Sequence, residues 1–305
     1  MTPTATELTS PVELAIQEVA SRPDAGPLDA ATVHASEAAR IADEFGLGST
    51  VELALAALPV ARRFSRPLIS GYRVAAVGIE AETGDLLLGG NLEFPGTELT
   101  TTIHAEGFVA LRARRRGHTL GTLALRIAYP CAHCRQVLSE SGAADELVLV
   151  DTEGARLRLA DLYPWPFRPT ALGMDGDLGS RVSWPGLVQV EGAAPPGVAS
   201  ELVEAARHAH APYSGAPSAA VLLTRDGRRF SAGCVESVAF NPSISALQAA
   251  LVEVAAAGIE ATEIAEGWLG ASRDGAVDPE PGFRALLRAV APDASVGVVR
   301  WRTGA

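Results

Sequence analysis

The chain is 305 residues long, with 48 % hydrophobic and 20 % charged residues, a balance that folds and is long enough for two ordinary domains. Its formal net charge is −11, and all 25 cations are arginine, since no lysine occurs. The absence of lysine excludes P-loop and Schiff-base chemistry, and the acidic balance disfavours general nucleic-acid binding, where phosphates supply most of the affinity.

The N-terminal stretch "MTPTATELTSPVELAIQEVASRPD" lacks a basic segment followed by an apolar one, and no run of 18 apolar residues occurs anywhere. The expectation is a cytoplasmic protein without a signal peptide or membrane span. In that compartment a Cys pair points to metal or redox chemistry before a disulfide. Residues 1–48 carry helical patterning broken by "SRPDAGPLDA" and form an N-terminal helical segment without evident chemistry. Residues 50–63 read as a buried helix interrupted late by Pro59. Strands are predicted at 72–80 and 85–90, joined by the turn residues "ETG". A helix follows from Ile103 to Arg116, ending in the cluster Arg112, Arg114, Arg115 and Arg116, read as dipole compensation in preference to a phosphate site. Residues 122–129 alternate Leu123, Leu125, Ile127 and Tyr129 on one face, which predicts a strand. Another helix runs from about Cys131 to Ser141, then a strand at 146–150.

Strands alternating with helices place residues 49–163 in a layered α/β domain with a largely parallel or mixed sheet. Residues 164–199, rich in Pro and Gly, read as a linker, and a helix at about 200–210 opens a second domain, 200–305. That domain repeats the first. "ISGYRVAAV" (69–77) aligns with "YSGAPSAAV" (213–221), and "GNLEF" (90–94) with "GCVES" (233–237), so that Glu93 and Glu236 coincide. Carried forward at the same offset, "HAE" (104–106) falls on Leu247, Gln248 and Ala249, and "PCAHC" (130–134) on "RDGAV" (273–277). The second copy therefore keeps the fold pattern and lacks the chemistry.

His104 offers an imidazole nitrogen, and Cys131 and Cys134 offer two thiolates. Three such ligands with an open fourth position make a catalytic zinc site, whereas a closed structural site takes four. Both Cys131 and His104 stand at predicted helix starts, where the positive helix end favours thiolate. Glu106 is placed to reach a metal-bound water. Plainer readings compete: a redox Cys pair, ligation by His133, or a structural zinc. The first does not use the upstream His-Ala-Glu, the second adds a donor the site does not need, and the third leaves Glu106 unexplained.

The H-x-E…P-C-x-x-C pattern is the signature of zinc deaminases. Together with "GGNLEF" (89–94), "DLYPWPF" (161–167), "PYSGAPS" (212–218) and "VAFNP" (238–242), it makes the chain resemble the cytidine deaminase family over residues 50–300. The resemblance is to the long, homodimeric bacterial branch, whose chains pair a catalytic domain with a degenerate copy. It implies a duplicated three-layer α/β/α fold with one zinc per chain on His104, Cys131 and Cys134. Hydrolytic deamination of cytidine or 2′-deoxycytidine would follow, with Glu106 carrying a proton to N3 and then to the departing amine. It also implies that Asn91 and Glu93 bond the ribose hydroxyls and that backbone at Ala105 and Cys131 contacts the base. Phe167 packs over the base, Tyr72 stands beside it, and Ala239 and Phe240 of a partner subunit close the pocket. Residues 1–48 brace the catalytic domain by the same analogy. Tyr72 replaces a usual Phe, Tyr129 a small residue, and "LISGYRV" (68–74) the usual lead-in; these departures make a modified cytosine nucleoside the alternative substrate. A polynucleotide deaminase and a non-catalytic zinc scaffold are the remaining alternatives.

Overall fold

The computed structural model describes residues 10–22, 25–126, 129–141, 145–174 and 183–303. By its contacts the chain divides into a first unit, Met1–Glu93, Thr102–Gly179 and Ala256–Gly258, and a second, Phe94–Thr101, Ser180–Ala255 and Ile259–Ala305.

In the first unit the order is α1 (Pro11–Ala20), β1 (Thr32–Val33), α2 (Ala35–Glu44), α3 (Thr50–Ala56), α4 (Leu58–Ala61), β2 (Ala75–Glu80) and β3 (Leu86–Gly90). Then come α5 (Ala105–Arg116), β4 (Leu120–Leu125), α6 (Ala132–Ser139), β5 (Val148–Asp151), β6 (Arg156–Arg158) and α7 (Leu159–Leu162). The predicted helix at 50–63 is two helices. The Ser49 hydroxyl caps α3 by accepting from Glu52 N–H at 3.2 Å, and Pro59 sits in the first turn of α4, where its missing N–H costs nothing. The predicted strand at 122–129 starts two residues earlier and gives way after Leu125, with Ile127 and Ala128 outside the described residues.

The strands form one mixed sheet in the order β1-β3-β2-β4-β5-β6, in which β4 and β5 run parallel through the α6 crossover and the other pairs are antiparallel. Neighbouring residues of β3 show how the layers meet. A Cβ on Gly89 would lie 2.7 Å from Val109 and 2.8 Å from Phe108 of α5, and one on Gly90 would lie 2.4 Å from the Ser65 nitrogen on the opposite face. The sheet is thus enclosed between α5 and the α4–Ser65 segment, a three-layer α/β/α arrangement. Ala76, Leu87, Leu123, Leu125 and Leu149 pack with Val109 and Leu138 in the core on the α5 side.

The N-terminal segment is part of this unit. β1 pairs with β3, and the arginines at the end of α5 reach back to residues 27–30. Arg112, fully buried, donates to the carbonyls of Pro27 (2.7 Å), Leu28 (3.0 Å) and Ala30. Arg116 pairs with Glu80 at 2.8 Å and with Asp85. The dipole reading of the cluster misses these two: they are anchors for the chain's first third.

The second unit contains β7 (Leu187–Glu191), α8 (Pro196–Arg207), β8 (Ser218–Thr224), β9 (Arg229–Gly233), α9 (Ala246–Ala256), β10 (Ile264–Ser272), α10 (Glu280–Val290) and β11 (Ser295–Thr303). Its sheet order is β7-β11-β10-β8-β9, again with one parallel pair, β10 and β11, and antiparallel neighbours. The repeat read from the sequence is therefore a repeat of topology. β7 lies inside the stretch read as a linker. It pairs antiparallel with β11, the place β6 takes beside β5, so the Pro/Gly texture conceals an edge strand.

The register of the repeat needs one correction. Leu92 bridges Ile103, and Val235 bridges Ile244, so the connection is two residues shorter in the second unit. The counterpart of His104-Ala105-Glu106 is Ser245-Ala246-Leu247, not Leu247-Gln248-Ala249. Likewise Cys131 directly precedes α6 as Pro279 precedes α10, so "RDGAV" is not the counterpart of "PCAHC". Constant-offset counting fails wherever a connection changes length.

Candidate active site

His104 is the N-cap of α5 and Cys131 the N-cap of α6, both with extended backbone, so two helix starts meet at one place. His104 Nδ1 lies 3.5 Å from Cys131 Sγ and 3.4 Å from Cys134 Sγ. Ligand bonds of about 2.05 Å to nitrogen and about 2.3 Å to sulfur at a tetrahedral angle place N and S about 3.6 Å apart. The donor set and its spacing fit zinc. These three are the metal-capable group among the described residues, with His104 and Cys131 exposed and Cys134 buried. His133, between the two cysteines, is exposed and outside the group.

The charges at the site follow from these contacts. Cys131 is held down to about 3, first by its hydrogen bond with the Cys134 thiol and then by His104. Cys134 is pushed up, because its proton is shared with the Cys131 thiolate and because it is buried. His104 is raised, chiefly by its bond to Cys131. Binding of a metal to such a pair releases the remaining thiol proton. Glu106, in the first turn of α5, is buried, and that burial pushes its carboxyl above the usual range. A carboxyl so placed, two residues from His104, is positioned for general acid–base work.

The remaining residues singled out from the sequence are distributed as follows. Ala105 is buried at the start of α5. Asn91 and Glu93 are buried directly after β3. Burial alone would raise Glu93, yet hydrogen bonds from Ser70, Ile69 and Asn91 bring it below the usual range. Tyr72 and Phe167 are exposed, at 64 % and 42 %. Tyr129 donates its hydroxyl to Asp151 at 3.0 Å, which directs the phenol to the end of β5. Ala239 and Phe240 belong to a tight loop of the second unit. Phe240 adopts a left-handed φ of 62° and is 62 % exposed, a conformation bulky residues rarely take.

Two neighbours of Cys134 received no role from the sequence. Arg135 donates to the carbonyls of Pro130 (2.7 Å) and Leu162 (2.9 Å). Buried Gln136 donates to the Phe167 carbonyl at 2.8 Å and accepts from the Tyr163 hydroxyl at 2.9 Å. Together they tie residues 162–167, and so Phe167, to the helix that carries the thiols. Their only signal was adjacency to the Cys pair.

A family model described as the cytidine and deoxycytidylate deaminase zinc-binding region matches residues 49–150, and a second of the same description matches residues 159–281. The second match falls largely on the unit where Ser245 and Leu247 replace the His and Glu, so there it reflects the scaffold. The chain is 35 % identical over 247 residues to the cytidine deaminase of Photobacterium profundum, covering 79 % of this chain and 80 % of that one. It is 32 % identical over 246 residues to the cytidine deaminase of Vibrio vulnificus, covering 80 % and 81 %. Among solved structures, the cytidine deaminase of Mycobacterium tuberculosis is 28 % identical over 36 % of this chain and 89 % of that one, with a TM-score of 0.32. With identities above 30 % across four fifths of both chains, and the zinc-binding region matched where His104, Cys131 and Cys134 converge, this chain belongs to the cytidine deaminase family.

Proposed function

We propose that the protein hydrolyses cytidine and 2′-deoxycytidine to the corresponding uridine nucleoside and ammonia. The observation that carries this reading is the buried Glu106 carboxyl beside a His-Cys-Cys set with the spacing of tetrahedral zinc. Zinc on His104, Cys131 and Cys134 supplies, when bound, Lewis-acid activation of water. Glu106, buried in the first turn of α5, carries a proton from the attacking water to ring N3 and a second to the departing amine. The amide groups of Ala105 and Cys131, at the two helix starts, orient the base. Phe167, fixed through Gln136, and Tyr72 flank it and exclude water, while Asn91 and Glu93 form the wall at its sugar end.

The family resemblance and the left-handed, exposed Phe240 support a homodimer in which Ala239 and Phe240 of a second copy close each pocket. Phe240→Ala then raises KM, and an unchanged KM argues for a site within one chain. The free thiols and the absence, among the described residues, of a helix long and apolar enough to cross a membrane fit pyrimidine salvage in the cytoplasm. Plain cytidine is favoured over a modified nucleoside because the Tyr129 hydroxyl, one of the two departures near the base, is engaged by Asp151.

The test is ammonia release from cytidine, deoxycytidine, 5-methylcytidine, CMP and cytosine, with zinc quantified in the same sample. Turnover of cytidine or deoxycytidine with one zinc per chain is expected. Stoichiometric zinc with no turnover of either overturns the assignment of substrate.

A further inference from the structure

Phe240 holds a backbone conformation that costs free energy. Its φ of 62° lies in the left-handed region, and Asn241 N–H donates to the Ala239 carbonyl across it at 2.8 Å. Such a bond around a positive φ closes the rarer, strained kind of γ-turn, and a bulky side chain adds to the strain. The loop enforces it. Phe240 N–H donates to the Ser237 carbonyl, and Ser243 N–H to the Phe240 carbonyl, both at 2.9 Å. Ser243 Oγ accepts from Ser237 N–H at 2.9 Å, and Ser237 Oγ from Ala239 N–H at 3.2 Å. Strain persists where the surroundings over-determine it and a function uses the conformation. Its product here is an aromatic ring held out to 62 % exposure.

A fixed backbone does not by itself aim that ring, which still turns about its side-chain torsions. Tyr213 supplies the support. Its ring centroid lies 6.2 Å from that of Phe240, tilted by 53°, within the range of a favourable aromatic pair. Tyr213 also meets His210 edge to face, at 6.2 Å and 85°. The three form a ladder from a buried foot, His210, through half-buried Tyr213 to the exposed tip. The foot is tied down, since His210 N–H donates to the Cys234 carbonyl (2.9 Å) and its carbonyl accepts from Glu236 N–H (2.8 Å). The middle rung is tied down as well. Glu236 Oε2 accepts from the N–H groups of Tyr213 (2.9 Å) and Ser214 (3.1 Å), and Oε1 from the Ser214 hydroxyl.

We infer that Tyr213 is a positioning residue, which stands on His210 and presets the Phe240 ring for the pocket of a second copy. The inference rests on the reading above that Ala239 and Phe240 close that pocket. A ring without this support samples other rotamers, and part of the binding free energy then goes into ordering it. The loss falls on KM, because His104, Glu106, Cys131 and Cys134 belong to the other unit.

The experiment measures kcat and KM for cytidine in the zinc-loaded wild type, Tyr213→Ala, Tyr213→Phe, Phe240→Ala and the double variant Tyr213→Ala/Phe240→Ala. Tyr213→Ala is expected to raise KM about three- to tenfold, the worth of one aromatic pair, with kcat and zinc content retained. Tyr213→Phe keeps the ring and recovers most of that loss. In the Phe240→Ala background, removal of Tyr213 adds less than about twofold, because its effect passes through Phe240. An unchanged KM in Tyr213→Ala beside a raised KM in Phe240→Ala overturns the inference. So does a rise of the same size in the Phe240→Ala background. If Phe240→Ala leaves KM unchanged, or the wild type is inactive, the shared-pocket or the nucleoside reading has failed instead. 4-Fluorophenylalanine at position 240 then decides the support alone. Its ¹⁹F resonance is expected away from that of the unfolded chain and to move onto it in Tyr213→Ala; a resonance that stays in place overturns the inference. Melting temperatures test the strain. Phe240→Gly is expected to melt above Phe240→Ala, since only glycine takes a positive φ freely, and the reverse order overturns the premise.

Discussion

Replacing Arg112 with methionine tests whether the chain's first third is anchored through the active-site helix. The guanidinium is fully buried and serves three carbonyls, those of Pro27, Leu28 and Ala30. Pro27 and Leu28 are exposed, so water takes over their carbonyls when the arginine goes. Ala30 is buried, and its carbonyl loses its charged donor and keeps the Thr32 hydroxyl at 3.2 Å. Loss of the charge-assisted bond at that buried acceptor costs about 1–2 kcal/mol, and loss of the two outer ones adds about 1–2 kcal/mol after rehydration. Methionine fills most of the volume, which keeps a cavity cost out of the comparison. A destabilisation of about 2–4 kcal/mol lowers the melting temperature by about 5–15 °C in a unit of this size. Thermal unfolding followed by circular dichroism, with zinc bound in both samples, measures it directly. Arg112→Lys is expected to recover part of the loss, since an ammonium carries charge but lacks the planar fork. A methionine variant that melts within about 2 °C of the parent refutes the anchoring argument.

Further outcomes are expected. Glu106→Gln retains zinc but lowers kcat by about 10²–10⁴-fold, because it removes a proton carrier and no ligand; a near-parental rate with full zinc counts against the assigned role. Cys131→Ala loses the metal, and a full zinc complement by elemental analysis rejects that ligand. Gly90→Ala puts a methyl 2.4 Å from the Ser65 nitrogen and 2.8 Å from the Phe64 carbonyl carbon, so the urea midpoint falls markedly; an unchanged midpoint would show that the α4–Ser65 layer yields. Gly107→Ala makes the opposite prediction. Its Cβ meets nothing nearer than Ile103 at 3.9 Å, inside a helix, so stability rises by about 0.5–1 kcal/mol in the same titration, and a lowered midpoint rejects the packing argument.

Chemistry and local structure were legible in the chain because both depend on neighbours in sequence. The residues needed for zinc stand in two short motifs, each at a helix start marked by a cap or a proline, and the alternation of strands and helices gave the α/β class. The duplication was legible as well, since Glu93 and Glu236 each keep a serine-glycine pair upstream. The register of that duplication was not. It turns on the connection between Leu92 and Ile103, whose shorter counterpart from Val235 to Ile244 moves the matching residues by two. β7 was hidden because a five-residue edge strand among prolines and glycines carries almost no periodic signal. The partners of Arg112, Arg135, Gln136 and Glu93 were decided by tertiary structure alone. Each meets a backbone carbonyl or N–H far along the chain, 82 residues away for Arg112 and Ala30, and a backbone group looks the same at every position until the fold places it. A sequence names the side chains that do chemistry; only the folded chain names the main-chain groups that hold them in place.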